Sequence, residues 1–369
     1  MCGAGGLEVF SLSNKLETAS LSVFIFMAKQ FSDQDPTAVS RKSDHIEMAF
    51  QSQVPANTLD ARFYYEPLLS GHPSKVGVPI DFLNCKLGFP IWVSSMTGGT
   101  ALAGTINHNL ARACAEFRLG MGLGSCRQLL FSDEHLEDFD VRGTIGPDLP
   151  LYANLGIAQI DQLLKTDQLD VMEALVDKLR ADGLIIHVNP LQEAMQPEGD
   201  HFSRSPLAII EEMIARFSRP LIVKEVGQGF GPESLRALLQ LPLAAIEFAA
   251  AGGTNFAKLE LLRSDAIKQE IFGKLVTVGH TATQMLTWTN QLVETIGVTE
   301  VKAKHLIISG GIQDFLDGYY LTEKALLPAV YGQASGFLKH ARGDYDTLQR
   351  YVQAQIEGYT LAKTFLRVV

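Results

Sequence analysis

The densest chemistry in this sequence lies in His187-Val-Asn189-Pro190-Leu-Gln192-Glu193, where four polar side chains follow the apolar run Gly183-Leu-Ile-Ile. Alternation along a strand sets His187 and Asn189 on one face, with Gln192 and Glu193 in the adjoining loop. A pure packing element has no need for four hydrogen-bonding or ligating groups at one end. The spacing does not suit a three-ligand zinc site, and HExxH is absent. A lone carboxylate such as Glu193 suits Mg²⁺, which takes one or two protein oxygens and completes its shell with water and substrate phosphate. Lys224 is unusual in the same way, lying inside the apolar run Pro220-Glu225. A buried lysine needs a partner, either a carboxylate within the fold or an electron-rich ligand.

Small residues recur after other apolar runs. Ser94-Ser95-Met96-Thr97-Gly98-Gly99-Thr100 reads as a tight turn or as a shelf on which a planar ligand lies against bare backbone. Gly122-Leu-Gly124-Ser125-Cys126-Arg127 lacks the GxGxxG spacing of a dinucleotide loop, and Arg127 is either an anion ligand or a solvated helix-start residue. Asn154, in Tyr152-Ala-Asn154-Leu-Gly156, is an amide that both donates and accepts, or a buried cap. Ala249 to Phe256 offers small residues with the Thr254 hydroxyl. Ser309-Gly310-Gly311-Ile312 and Gly332-Gln333-Ala334-Ser335-Gly336 close the series. Backbone N–H groups in the last two loops suit a phosphate. A phosphate cradle, a flat shelf and a strand lysine fit flavin mononucleotide. Ser40 to Ile46 (SRKSDHI) adds Arg41, Lys42 and His45, a cationic cluster in an otherwise acidic chain.

The elements that must position these groups follow one rhythm: an aliphatic run, a small-residue cluster, then a helix-period segment. Strands are expected at Phe89-Ser95, Gly120-Gly124, Pro150-Asn154, Gly183-Val188, Pro220-Glu225, Ala244-Ala249, His305-Ser309 and Ala329-Gln333. Amphipathic stretches such as Ile106-Phe117, Val171-Ala181, Leu207-Phe217 and Pro232-Leu239 lie between them. Eight βα units close a (β/α)8 barrel with its active site at the C-terminal strand ends. Leu275-Gly279 (LVTVG), in the long interval 264–304, is a possible ninth strand; as a sheet member it would favour a doubly wound open sheet. The expected organisation is one α/β barrel domain over 36–369, led by an N-terminal arm, with 1–35 a disordered extension.

Composition narrows the partners. With 31 Lys plus Arg against 41 Asp plus Glu the formal charge is -10, and no basic tract could follow a nucleic-acid backbone. Cys2, Cys85, Cys114 and Cys126 form no CxxC pair, which suits a reducing compartment such as the cytoplasm. Leu21 to Ala28 is apolar but far shorter than a membrane span. It lacks the basic lead of a secretory signal, and residues 1 to 40 hold no Arg for a mitochondrial one. Met27, followed by a polar run, is a candidate natural start. Neither GxSxG nor a P-loop occurs.

The motifs RKSDH (Arg41 to His45), SSMTGG, GLGSCR, NLG, HVNPLQE, GDHF (Gly199 to Phe202), KEVGQGFG (Lys224 to Gly231), AAAGGTNF and SGGI span most of the chain. Together they resemble the type 2 isopentenyl-diphosphate delta-isomerases, a flavin-dependent barrel family. The resemblance implies FMN at Met96, Thr97, Gly98, Ser125, Asn154, Lys224 and Thr254, with its phosphate at Gly310, Gly311, Ala334 and Ser335. It implies a substrate diphosphate held by Arg41, Lys42, His45 and Arg127, with Asn189 and Gln192 nearby and Mg²⁺ on Glu193. His187 and Gln192 take the catalytic positions facing flavin and substrate, and NADPH or NADH reduces the flavin. The resemblance points to a tetramer or octamer as well. Cys126 stands where the family usually has Gln, Ser335 where it has Gly, and Lys274-Thr283 lacks the usual Trp-Gly turn. The rival reading is an FMN oxidoreductase of the hydroxy-acid oxidase or nucleotide dehydrogenase type; a flavin-binding scaffold without turnover is the third.

Overall fold

The computed structural model describes residues 38–369 apart from 75 and 298, so the expected extension over 1–35 lies outside the described residues. The chain divides into two compact units, Met1–Ala61 and Arg62–Val369. In the first unit, helix Ala38–Met48 carries Arg41, Lys42 and His45, all exposed. Arg41 and His45, four residues apart, share one helix face.

The second unit is built on eight parallel strands: Ile91–Val93, Gly120–Gly122, Leu151–Gly156, Gly183–His187, Leu221–Lys224, Ala245–Glu247, Leu306–Ser309 and Ala329–Gln333. They follow one another around a closed barrel, and the eighth returns to the first through Tyr331↔Ile91 and Gln333↔Val93. All eight expected strands are present. Covered by helices outside and by packed side chains inside, they are apolar runs rather than alternating ones. Leu275-Gly279 is not a sheet member: Leu275–Thr277 is a 3-10 turn, followed by helix Ala282–Ile296. The open-sheet alternative falls with it, because each barrel strand already has two neighbours.

Local signals set the helices. Thr100 accepts from the Ala103 amide to cap Ala101–Phe117, which ends at Arg118 in a left-handed conformation. Ser205 caps Pro206–Arg216, with proline in the first turn. At the N-terminal end of the barrel, hairpin Ile80–Phe82/Cys85–Leu87 turns through Leu83 and Asn84, at φ 50° and 61°. Two positive φ values give the twist a two-residue hairpin needs. The hairpin buries Phe82 against Trp92 and His305, ring centres 6.2 and 4.8 Å away. That end is plugged, leaving the C-terminal strand ends for chemistry. No helix among the described residues is long and apolar enough to cross a membrane.

Candidate active site

The fourth barrel strand stops at His187, because Pro190 opens helix Pro190–Met195 and Asn189 takes the preceding cap position. His187 and Asn189 therefore do not share a strand face. The Asn189 amide turns inward, and its Nδ2 donates to Gln192 Oε1 at 3.2 Å and to Glu193 Oε1 at 2.9 Å. The second Glu193 oxygen accepts from the Asp200 amide at 2.8 Å. Glu193 is thus a buried carboxylate held from two sides, each oxygen keeping a lone pair. No group of three His, Cys, Asp or Glu side chains suited to a metal occurs among the described residues. A single carboxylate with free lone pairs is the kind of ligand that would suit Mg²⁺, which completes its shell with water and substrate oxygens.

Three adjacent strands place His187, Lys224 and Glu247 side by side, through the register pairs His187↔Lys224 and Lys224↔Glu247. His187 Nδ1 meets Asn154 Oδ1 at 2.7 Å. Burial, with the Lys224 charge beside it, pushes the imidazole down to about 3. Lys224 is itself buried and donates to the Glu225 carbonyl at 2.7 Å. Glu247 is fully buried, accepts from Ser309 Oγ at 3.1 Å, and has its carboxyl raised by burial, a rise that Lys224 opposes. Lys224 neighbours Glu247 in register and also opens into the mouth.

The mouth has two lobes that share Lys224. The larger, about 200 Å³, is lined by Lys224, Glu247, Thr254, Ser309, Gly310, Gly311, Gln333, Ala334 and Ser335. The smaller, about 110 Å³, is lined by Met96, Ser125, Asn154, His187, Gln192 and Lys224. Gly310, at φ 89°, lies so close to the next loop that a Cβ would stand 2.1 Å from the Ala250 backbone. Only bare backbone fits there, so the loop after the seventh strand packs directly on the loop after the sixth.

Other expected residues stand outside this lining. Gly98 backs onto Phe139, whose ring tip would lie 2.0 Å from an added Cβ, so no side chain fits there. Thr97 presents its backbone to Gly124, where a Cβ would stand 2.3 Å from the Thr97 carbonyl oxygen. Arg127 opens a 3-10 turn and pairs with Asp200 at 3.1 Å, and Asp200 also accepts from Gln159 at 2.9 Å. Cys126 is fully buried, donates to the Gly124 carbonyl, and has its thiol pushed up to about 12 by burial. Cys126 is therefore a packing element. Glu247, Ser309 and Glu260 were not among the expected site residues; Glu260 accepts from Gln192 Nε2 at 3.4 Å. A charge inside an apolar strand, the signal that singles out Lys224, was equally present at Glu247.

A closed (β/α)8 barrel with a glycine-lined cradle and a polar row at its C-terminal mouth defines the class. Among solved structures it resembles a flavocytochrome b2 with benzoylformate (TM-score 0.54, 14% identity, covering 82% of this chain and 72% of that one). A mandelate oxidase with benzaldehyde is similar too (TM-score 0.53, 12% identity, 82% of each chain). These likenesses concern fold. No family model matches the sequence. The isopentenyl-diphosphate delta-isomerase of Rickettsia felis is 33% identical over 327 residues, 86% of this chain and 90% of the relative. That of a Synechococcus species is 35% identical over 318 residues, 85% and 87% respectively. The chain belongs to the isopentenyl-diphosphate delta-isomerase family.

Proposed function

We propose that this chain interconverts isopentenyl diphosphate and dimethylallyl diphosphate by a 1,3-allylic proton shift. In this reading it is a type 2 isomerase using FMN, kept reduced by NADPH or NADH, and Mg²⁺. The observation that carries the reading is Lys224, a buried cation shared by a glycine-lined lobe suited to phosphate and a second lobe lined by Asn154, His187 and Gln192. The residues fit FMN: the loops at Gly310 and Gly311 leave no room for side chains, and a buried cation suits an electron-rich ring.

The reaction adds a proton at C4 of an unactivated alkene and removes one from C2, a task for which an ordinary carboxylic acid is a weak donor. When bound, reduced FMN supplies that proton donor and acceptor at its N5 region. The chain's residues supply orientation and charge. Gln192, steadied by Asn189 and Glu260, positions the alkene end. His187, neutral at physiological pH, lines the same lobe without adding a competing charge. Lys224 favours negative charge on the ring. Glu193 would hold Mg²⁺ against the substrate diphosphate, with Arg127 and Asn189 at the same rim. In the first unit, Arg41, Lys42 and His45 offer side chains suited to an anionic substrate, on a helix that also carries Asp44 and Glu47. The proposal extends to a cytoplasmic homo-oligomer, tetramer or octamer.

The fold likeness to hydroxy-acid oxidases keeps the oxidoreductase as the second reading. Visible spectra of the FMN-loaded protein under anaerobic conditions separate the two. The isomerase reading predicts a saturable perturbation of the reduced-flavin spectrum by isopentenyl diphosphate with Mg²⁺, and no bleaching of oxidised flavin by lactate or mandelate. Bleaching by a hydroxy acid, with no response to isopentenyl diphosphate, supports the oxidoreductase instead.

A further inference from the structure

Of the three side chains that stand in register across the barrel mouth, Glu247 has no part in the reaction outlined above. It is a carboxylate with none of its surface exposed, and such a group persists only where partners repay its desolvation. One oxygen has a built partner: Oε1 accepts from Ser309 Oγ at 3.1 Å, and Ser309 Oγ accepts from the Ala249 amide at 3.0 Å. The other does not. Oε2 and the neighbouring Ser94 Oγ are both buried, and neither completes a hydrogen bond of good geometry.

The cation beside Glu247 is equally specific. Lys224 is its register partner on the next strand, yet the ammonium donates to the Glu225 carbonyl at 2.7 Å rather than to the carboxylate. Lys224 opens into both lobes of the mouth, whereas Glu247 lines only the glycine-lined one. Glu247 therefore lies off the lobe of Asn154, His187 and Gln192 while remaining within the field of the lysine. In a low-dielectric interior two such charges act on each other and on any ligand strongly.

We propose that Glu247, anchored by Ser309, is the counter-charge that sets how strongly Lys224 favours the reduced over the oxidised form of a flavin bound in this mouth. The inference rests on the FMN reading above. Reduction by a hydride donor brings two electrons and one proton to the ring and leaves one added negative charge, which an unopposed ammonium stabilises. An ionised carboxylate beside that ammonium offsets part of its field. Glu247 is thus a positioning residue that acts through Lys224, and removing its charge shifts the flavin toward the reduced form. Burial already pushes the carboxyl up, so the loss of one donor, Ser309, drives it further toward the neutral acid and in the same direction.

The test is an anaerobic redox titration of FMN-loaded wild type, Glu247→Gln, Glu247→Asp and Ser309→Ala against a reference dye. The expected result for Glu247→Gln is at least a tenfold shift of the equilibrium toward reduced flavin, about 30 mV more positive for the two-electron couple. Glu247→Asp should return most of the way to wild type, and Ser309→Ala should move the same way by less. A wild-type potential in flavin-loaded Glu247→Gln overturns the proposal and leaves a purely structural carboxylate. Should that variant not fold, an unshifted potential in Ser309→Ala overturns it equally. Wild-type protein that takes up no FMN contradicts the FMN reading itself, an outcome distinct from loaded variants with unchanged potentials.

Discussion

His187 Nδ1 stands 2.7 Å from Asn154 Oδ1, in a hydrogen bond that joins the fourth and third barrel strands and orients the imidazole in the mouth. With Asn154 presenting its amide oxygen, Nδ1 carries the ring hydrogen and Nε2 is the bare acceptor. Burial and the Lys224 charge keep the ring neutral at physiological pH. A neutral imidazole is a poor acid toward an alkene, so in the proposed reaction His187 would orient the substrate or accept a hydrogen bond.

The same depression makes stability depend on pH. His187 titrates near 3 in the folded chain and near its ordinary 6.5 when unfolded, so the unfolded chain binds more protons between those values. Its contribution is complete above about pH 6.5 and is lost as pH falls toward 3, on the order of a few kcal/mol in all. Urea unfolding at pH 7 and pH 4.5 should show wild type losing more stability on acidification than His187→Gln. Equal losses would contradict the assignment.

Gly156 tests the orientation of His187 without touching its chemistry. Its φ of -75° suits any residue, but an added Cβ would stand 2.8 Å from His187 Nε2 and 2.3 Å from Gln159 Oε1. Gly156→Ala is predicted to fold, at a cost of about 1–3 kcal/mol, and to lose tenfold or more in turnover as the ring is driven off Asn154. A melting curve paired with an activity assay checks this, and unaltered activity would release His187 from the mechanism.

Gly310 fails for a different reason. There both the φ of 89° and a 2.1 Å approach to the Ala250 backbone exclude a side chain, and neither obstacle is a flexible group that can move aside. Gly310→Ala should destabilise by about 2–4 kcal/mol and weaken FMN uptake, read by quenching of flavin fluorescence. Wild-type FMN affinity in this variant would remove the loop from the phosphate cradle.

For Glu193→Gln the expectation is selective. The amide oxygen can still accept from Asn189 or Asp200, so the fold survives, but the charge that attracts Mg²⁺ is gone. The Mg²⁺ concentration giving half-maximal turnover should rise about 10–100-fold while FMN stays bound. An unchanged Mg²⁺ dependence would take the metal away from Glu193.

How far these features were legible from sequence differs residue by residue. The barrel strands were, because each buried apolar run ends in small or polar residues at the rim. Leu275-Gly279 has the composition of a strand but lies where a closed barrel offers no free edge, so it folds as an exposed turn. Asn189 was assigned by strand alternation, although Pro190 immediately after it already marked a helix start. Why position 98 must be glycine was not legible, because Phe139, the ring that fills its empty side, is 41 residues away and meets it only through tertiary packing. Glu247 carried the same charge-in-an-apolar-run signal as Lys224; what sequence could not supply was the register that makes the two neighbours.

The proposed isomerisation relocates hydrogen while conserving electrons. The most direct measurement supplies the FMN-loaded protein and Mg²⁺ with excess isopentenyl diphosphate and one equivalent of NADPH per flavin, without oxygen, and counts dimethylallyl diphosphate by NMR. Many product molecules per NADPH consumed is the predicted result. Product that stops at one per NADPH, or a reduced flavin with no product at all, would contradict it.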